Sequence, residues 1–100
     1  MLVITVSAII KPEFKEVFLT HMKSLAATIR EESGCVNFEQ NFSIDDPNKL
    51  FIYEEWASIE LFKAHMVTEH MQAHFAKVTP WVESIEMKSL EAEEISGLME

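Results

Sequence analysis

Cysteine is nearly absent from this chain. Cys35 is the single one in 100 residues, so no intramolecular disulfide framework forms and no zinc site built on several thiolates is available. Two glycines and three prolines exclude collagen-like and low-complexity classes. So few glycines cannot build a phosphate loop, a Rossmann fingerprint or a G-x-S-x-G elbow, which sets aside nucleotide cofactors held by those devices. Basic residues are scarce: 8 Lys+Arg face 17 Asp+Glu, for a net charge of −9. Neutralising a phosphate backbone takes the opposite balance, so nucleic acid is not an expected partner. No apolar run approaches the roughly 20 residues of a bilayer crossing, so no membrane partner is expected either. The opening MLVITVSAII has no basic region before it and no small-residue cleavage site after it. It reads as a strand rather than a signal peptide, and the expected location is the cytoplasm.

What is present is a 48% hydrophobic content, enough for one modest core in one domain. In residues 2–10, Leu2, Ile4, Val6, Ala8 and Ile10 form one alternating apolar set, with a mixed set between them. Pro12 suits a first helical turn, and Phe14, Phe18, Met22, Leu25 and Ile29 recur at helical spacing. This predicts a helix from about Lys11 to Glu32, closed by Ser33-Gly34. Residues 35–43 alternate again, placing Val36, Phe38, Gln40 and Phe42 on one face and Cys35, Asn37, Glu39 and Asn41 on the other. A turn at 45–48 leads to a strand from Leu50 to Trp56, on which Glu54 is the one carboxylate among apolar face-mates. Ser58 caps a short helix carrying Ile59, Phe62 and Met66; after a break near 67–69, a second stretch carries Met71, Phe75 and Val78 and ends before Pro80. Residues 84–92 resume a weaker alternation with Ile85 and Met87 on one face. The order β-α-β-β-α-β is the ferredoxin-like α+β arrangement, an antiparallel sheet with its helices on one side. The domain is expected to span 1–92, followed by an acidic tail at 93–100. The helix-free sheet face carries large side chains and is expected to pack against a second copy, giving a homodimer.

Four histidines are the main carriers of chemistry. His21 stands alone at the edge of the first helix's apolar stripe. His70 and His74 share a helical face at the spacing of two zinc ligands, but Met71 occupies the position of the general-base Glu in H-E-x-x-H. A third ligand could come from His65 or Glu69, but only two lie on one face, so no metal is expected. His65 follows Phe62 by three residues near a helix end and is a candidate general base, against a half-exposed structural His. Glu54 beside Trp56 is a candidate proton carrier, because burial would raise its pKa. Trp56 is a candidate flat wall for an aromatic ligand, against a structural plug. Asn37 offers a polar contact. Cys35 reads as a small hydrophobe rather than a nucleophile.

The stretches E-E-S-G-C-V-N-F-E (31–39), D-D-P-N (45–48) and F-I-Y-E-E-W-A-S-I-E-L-F-K-A-H-M-V-T-E-H-M (51–71) resemble the antibiotic-biosynthesis monooxygenase domain over about residues 1–90. That resemblance implies a ferredoxin-like subunit in a dimeric α+β barrel. It also implies a cofactor-independent monooxygenase that oxidises a small quinol-like or polyketide aromatic with O2. A relative that isomerises a phosphorylated carbonyl signal by proton transfer supplies one alternative, and a non-catalytic dimeric binding module supplies another. Trp56, His65 and His70 match the family's Trp and its pocket-edge histidines. Phe62 stands where the anthrone enzymes carry a Tyr, and Phe75 near the axial His of the haem degraders. The expected site is therefore His65 and Glu54 as catalytic groups, with Trp56, His70, Asn37, Phe62 and Phe75 around the substrate.

Overall fold

A computed structural model describes residues 1–99 and contains β1 (Leu2–Ile10), α1 (Lys15–Arg30), β2 (Cys35–Phe42), β3 (Lys49–Trp56), α2 (Ile59–Met66), α3 (Glu69–Val78) and β4 (Val82–Glu91). The four strands form one antiparallel sheet in the order β2-β3-β1-β4, the ferredoxin-like α+β topology. The even-numbered residues of β1 lie in the core, together with Leu50, Ile52 and Trp56 of β3 and Phe38 of β2. Phe18, Met22, Leu25, Ala26 and Ile29 of α1 close over them, with Met71 and Val78 of α3. Alternation with period two on the strands and spacings of three and four on α1 bring these apolar faces together.

Pro12–Phe14 form one 3-10 turn, so α1 begins at Lys15 rather than near Lys11. Gly34 takes φ +92° and turns the chain into β2, while its carbonyl accepts the Ala57 N–H at 2.8 Å. The β2 alternation is broken at its start. Cys35 pairs with Trp56 and Asn37 with Glu55, leaving Val36 as an extra residue. This bulge corrects the expected faces: Cys35 packs on the core with Phe38, and Val36 is exposed. The hairpin turn is held by Asn48 N–H donating to Asp46 Oδ1 at 3.0 Å.

The second helical region is two helices. Thr68 hinges them: its hydroxyl donates to the His65 carbonyl at 2.8 Å and accepts the Met71 N–H at 3.3 Å, capping α3. β4 is an edge strand, longer at its start than residues 84–92. Ile85 and Met87 pair with Ala8 and Val6 on the helix-side face, yet are 66% and 49% exposed because the helix layer stops short of this edge. The residues after Glu91 hold no regular secondary structure up to residue 99, and the end of the expected tail, Glu100, lies outside the described residues. No helix is long and apolar enough to cross a membrane among the described residues.

A Cβ placed on Gly34 would lie 2.6 Å from Leu61 Cδ1, at a φ that L-residues avoid. Gly34→Ala is expected to destabilise the fold by about 1–3 kcal/mol, read as a lower Tm. An unchanged Tm would contradict this account of the α1–β2 turn.

Candidate functional site

Between the sheet and the helices lies a cavity that opens to solvent at one edge. Among the described residues the wall is apolar apart from three titratable side chains, Glu54, His65 and His74. Its exposed rim is formed by Phe75 of α3 and by Ile85 and Met87 of β4.

Glu54 reaches the cavity because β3 points its even-numbered residues at the helices. The carboxylate is buried, and its Oε1 accepts the Trp56 Nε1–H at 2.9 Å. Burial pushes the carboxyl up from 4.5 to about 7; the Trp56 hydrogen bond opposes this and the charge of Glu32 adds to it. Trp56 is fully buried and stands behind the wall rather than on it. The indole supports His65 from below, with ring centroids 4.5 Å apart, and meets Phe62 edge-on at 5.8 Å.

His65 is 2% exposed, not half-exposed. Its Nδ1 lies 2.6 Å from Glu32 Oε2, and the same oxygen lies 3.0 Å from His70 Nε2. A carboxylate only accepts, so Nδ1 donates to Glu32, and in the neutral ring Nε2 is then the acceptor. Glu32 sits in the turn after α1, 33 residues from His65. No sequence spacing links the two, and sequence reasoning missed it. The sole local signal was its place in the E-E-S-G stretch.

The expected histidine pair is split. His70 turns to Glu32 and lies outside the cavity, in a groove between α1 and α3. His74 faces the cavity and its Nδ1 meets His21 Nε2 at 2.8 Å, with the rings stacked. Burial, then the neighbouring His21 and His65, lower His74 to about 4. His21 is lowered too, by burial and by Lys77. The pair is therefore neutral at neutral pH, and the stability it carries is lost as pH falls from 6.5 towards 4. Phe62 and Phe75 line the cavity. Asn37 pairs with Glu55 on the opposite sheet face and does not reach it.

A small α+β domain with an apolar cavity and a carboxylate-held histidine is the class of molecule described so far. Comparison with known proteins places it more narrowly. Residues 1–77 match the model of the family described as "Antibiotic biosynthesis monooxygenase", and the chain belongs to that family. "Putative monooxygenase YcnE" of Bacillus subtilis (strain 168) is 30% identical over 77 residues, covering 77% of this chain and 81% of that protein. SO0527 of Shewanella oneidensis is 29% identical with a TM-score of 0.83, over 89% of this chain and 87% of that one. A Deinococcus radiodurans structure bearing the same family description shares the fold at TM-score 0.92 over all of both chains, with 17% identity.

The raised Glu54 pKa has a signed consequence. Folded and unfolded chains both hold the proton below 4.5; between 4.5 and about 7 only the folded chain keeps it, so stability declines as pH rises through that window. The accumulated cost is up to about 3 kcal/mol. Glu54→Gln keeps an acceptor for Trp56 and removes this cost. Its Tm advantage over the wild type is expected to grow by several degrees from pH 5 to pH 8. A gap that stays constant with pH would contradict the buried, proton-holding carboxyl.

Proposed function

We propose that the chain is a cofactor-independent monooxygenase that oxidises a small quinol-like or polyketide aromatic with O2, with His65 as the base. The observation that carries this reading is the orientation of His65: Nδ1 is committed to Glu32, and the ring lines an apolar cavity with Nε2 free to accept. His65 Nε2 takes a phenolic proton from the substrate. The aryloxide, held away from water, transfers an electron to O2, and the two radicals combine to a hydroperoxide. Loss of water from it leaves one oxygen atom on the product as a carbonyl and releases the other in that water. A hydroquinone thus becomes a hydroxyquinone, with all four electrons supplied by the substrate. Glu54, near half-protonated at neutral pH, is placed to return a proton to the departing oxygen. Glu32 is a positioning residue that fixes the tautomer of His65. Among the described residues the cavity wall holds no Lys or Arg to meet the phosphate of a phosphorylated carbonyl substrate.

The same reading includes a homodimer. The helix-free sheet face presents Leu90 beside the buried Val3, with Tyr53 and Phe51 further along the sheet opposite Thr5 and Ser7, a surface suited to a second copy. Sedimentation is expected to give a dimer for the wild type and a monomer for Phe51→Asp. A monomeric wild type would overturn it.

Oxygen uptake with a panel of quinols and anthrones, in EDTA, tests the activity. Wild-type uptake is expected to fall about 10²–10⁴-fold in His65→Ala. Glu32→Gln is expected to lower kcat with little change in KM. Absence of uptake across the panel would contradict the oxygenase reading and favour a binding module.

A further inference from the structure

The α2–α3 hinge brings together three atoms that bind metals. Glu32 Oε2, His65 Nδ1 and His70 Nε2 all lie within 4.8 Å of one another. We propose that these residues form a site for a divalent transition-metal ion of the zinc class, and that its occupancy switches off His65 as a base. The binding claim stands on geometry alone; the switch rests on the role given to His65 above.

Two imidazole nitrogens and a carboxylate oxygen are a donor set that suits Zn2+ and its first-row neighbours. Bonds of 2.0–2.1 Å in a tetrahedron put donors roughly 3.4 Å apart. The His70–Glu32 distance of 3.0 Å is already near that, and the His65–Glu32 edge of 2.6 Å has to open by less than about 1 Å. Glu32 sits in a turn, and His70 is 31% exposed, so the ligands can adjust and water can complete the coordination. Glu32 forms no ion pair with Lys or Arg among the described residues; its partners are the two histidines alone. The ligand spacing is the five residues across the Thr68 hinge, not the four between His70 and His74, whose Nδ1 is turned to His21.

The switch follows from proton counting. A neutral imidazole carries one N–H. A metal on Nδ1 displaces the proton there, and Nε2 takes one from solvent. The nitrogen that accepted the substrate's proton becomes a donor, with no change in the oxidation state of any group.

The test is titration of Zn2+ into chelator-stripped, untagged full-length protein against a chromophoric chelator, with Co2+ absorption reporting coordination. One equivalent is expected with a Kd of about 10 μM or tighter. Affinity is expected to drop at least tenfold in His70→Ala and in Glu32→Gln. His21→Ala, which breaks the other histidine pair, should leave it unchanged. Circular dichroism of each variant separates lost ligation from lost fold. Millimolar binding, or binding that His70→Ala leaves intact in a folded protein, overturns the site. If Zn2+ binds and oxygen uptake continues undiminished, the switch is overturned while the site stands. If metal-free protein consumes no oxygen, the oxygenase reading fails and the switch with it, and the site is judged by the titration alone.

Discussion

The structure around the cavity depends on one carboxylate oxygen. Glu32 Oε2 accepts from His65 and from His70, and so ties the turn after α1 to the end of α2 and the start of α3. Without it, a buried imidazole would sit on an apolar wall with a polar nitrogen unmatched, which carries a desolvation penalty of about 1–3 kcal/mol. With it, the ring has one tautomer and one orientation. The Trp56 indole fixes the other dimension by packing against the ring at a tilt, and its own N–H is spent on Glu54. Each polar group in this layer therefore has a partner, and what the partners leave over is one nitrogen of His65 and one oxygen of Glu54.

The fold places these groups by simple means. An antiparallel sheet with period two delivers Glu54 and Trp56 to the same face two residues apart. The Thr68 cap stops α2 one turn after Phe62 and restarts the chain as α3 at a new angle, so that His65 and His70 can meet one acceptor. The helix layer ends short of β4, and this leaves the cavity a mouth between Phe75, Ile85 and Met87 instead of sealing it. A cavity of this kind takes packing contacts from the core of a 100-residue domain, and a carboxyl that holds its proton to about pH 7 also works against stability at higher pH. Both are features expected where a site has been kept at the expense of packing.

Much of this is legible in the sequence. The five apolar even-numbered residues of β1, the helical stripe of α1 and the anomalous Glu54 on β3 depend on local periodicity, and local periodicity is what a sequence displays. The bulge at Val36 was not readable, because an extra residue leaves the alternation of types intact while shifting which side each one faces. Nor was the partnership of Glu32 with His65, which spans 33 residues and is set by how α1 and α2 pack. The His70–His74 spacing was legible but misleading: four residues apart places two rings on one face, yet their neighbours, Glu32 for one and His21 for the other, draw them to separate partners.

The central claim is that Glu32 holds His65 in the tautomer with an unprotonated Nε2. Long-range 1H–15N NMR of the histidine side chains tests it directly. The His65 ring is expected to show Nδ1 protonated and Nε2 bearing a lone pair, a pattern lost in Glu32→Gln. A His65 ring protonated at Nε2 in the wild type, or one indifferent to Glu32, would contradict it.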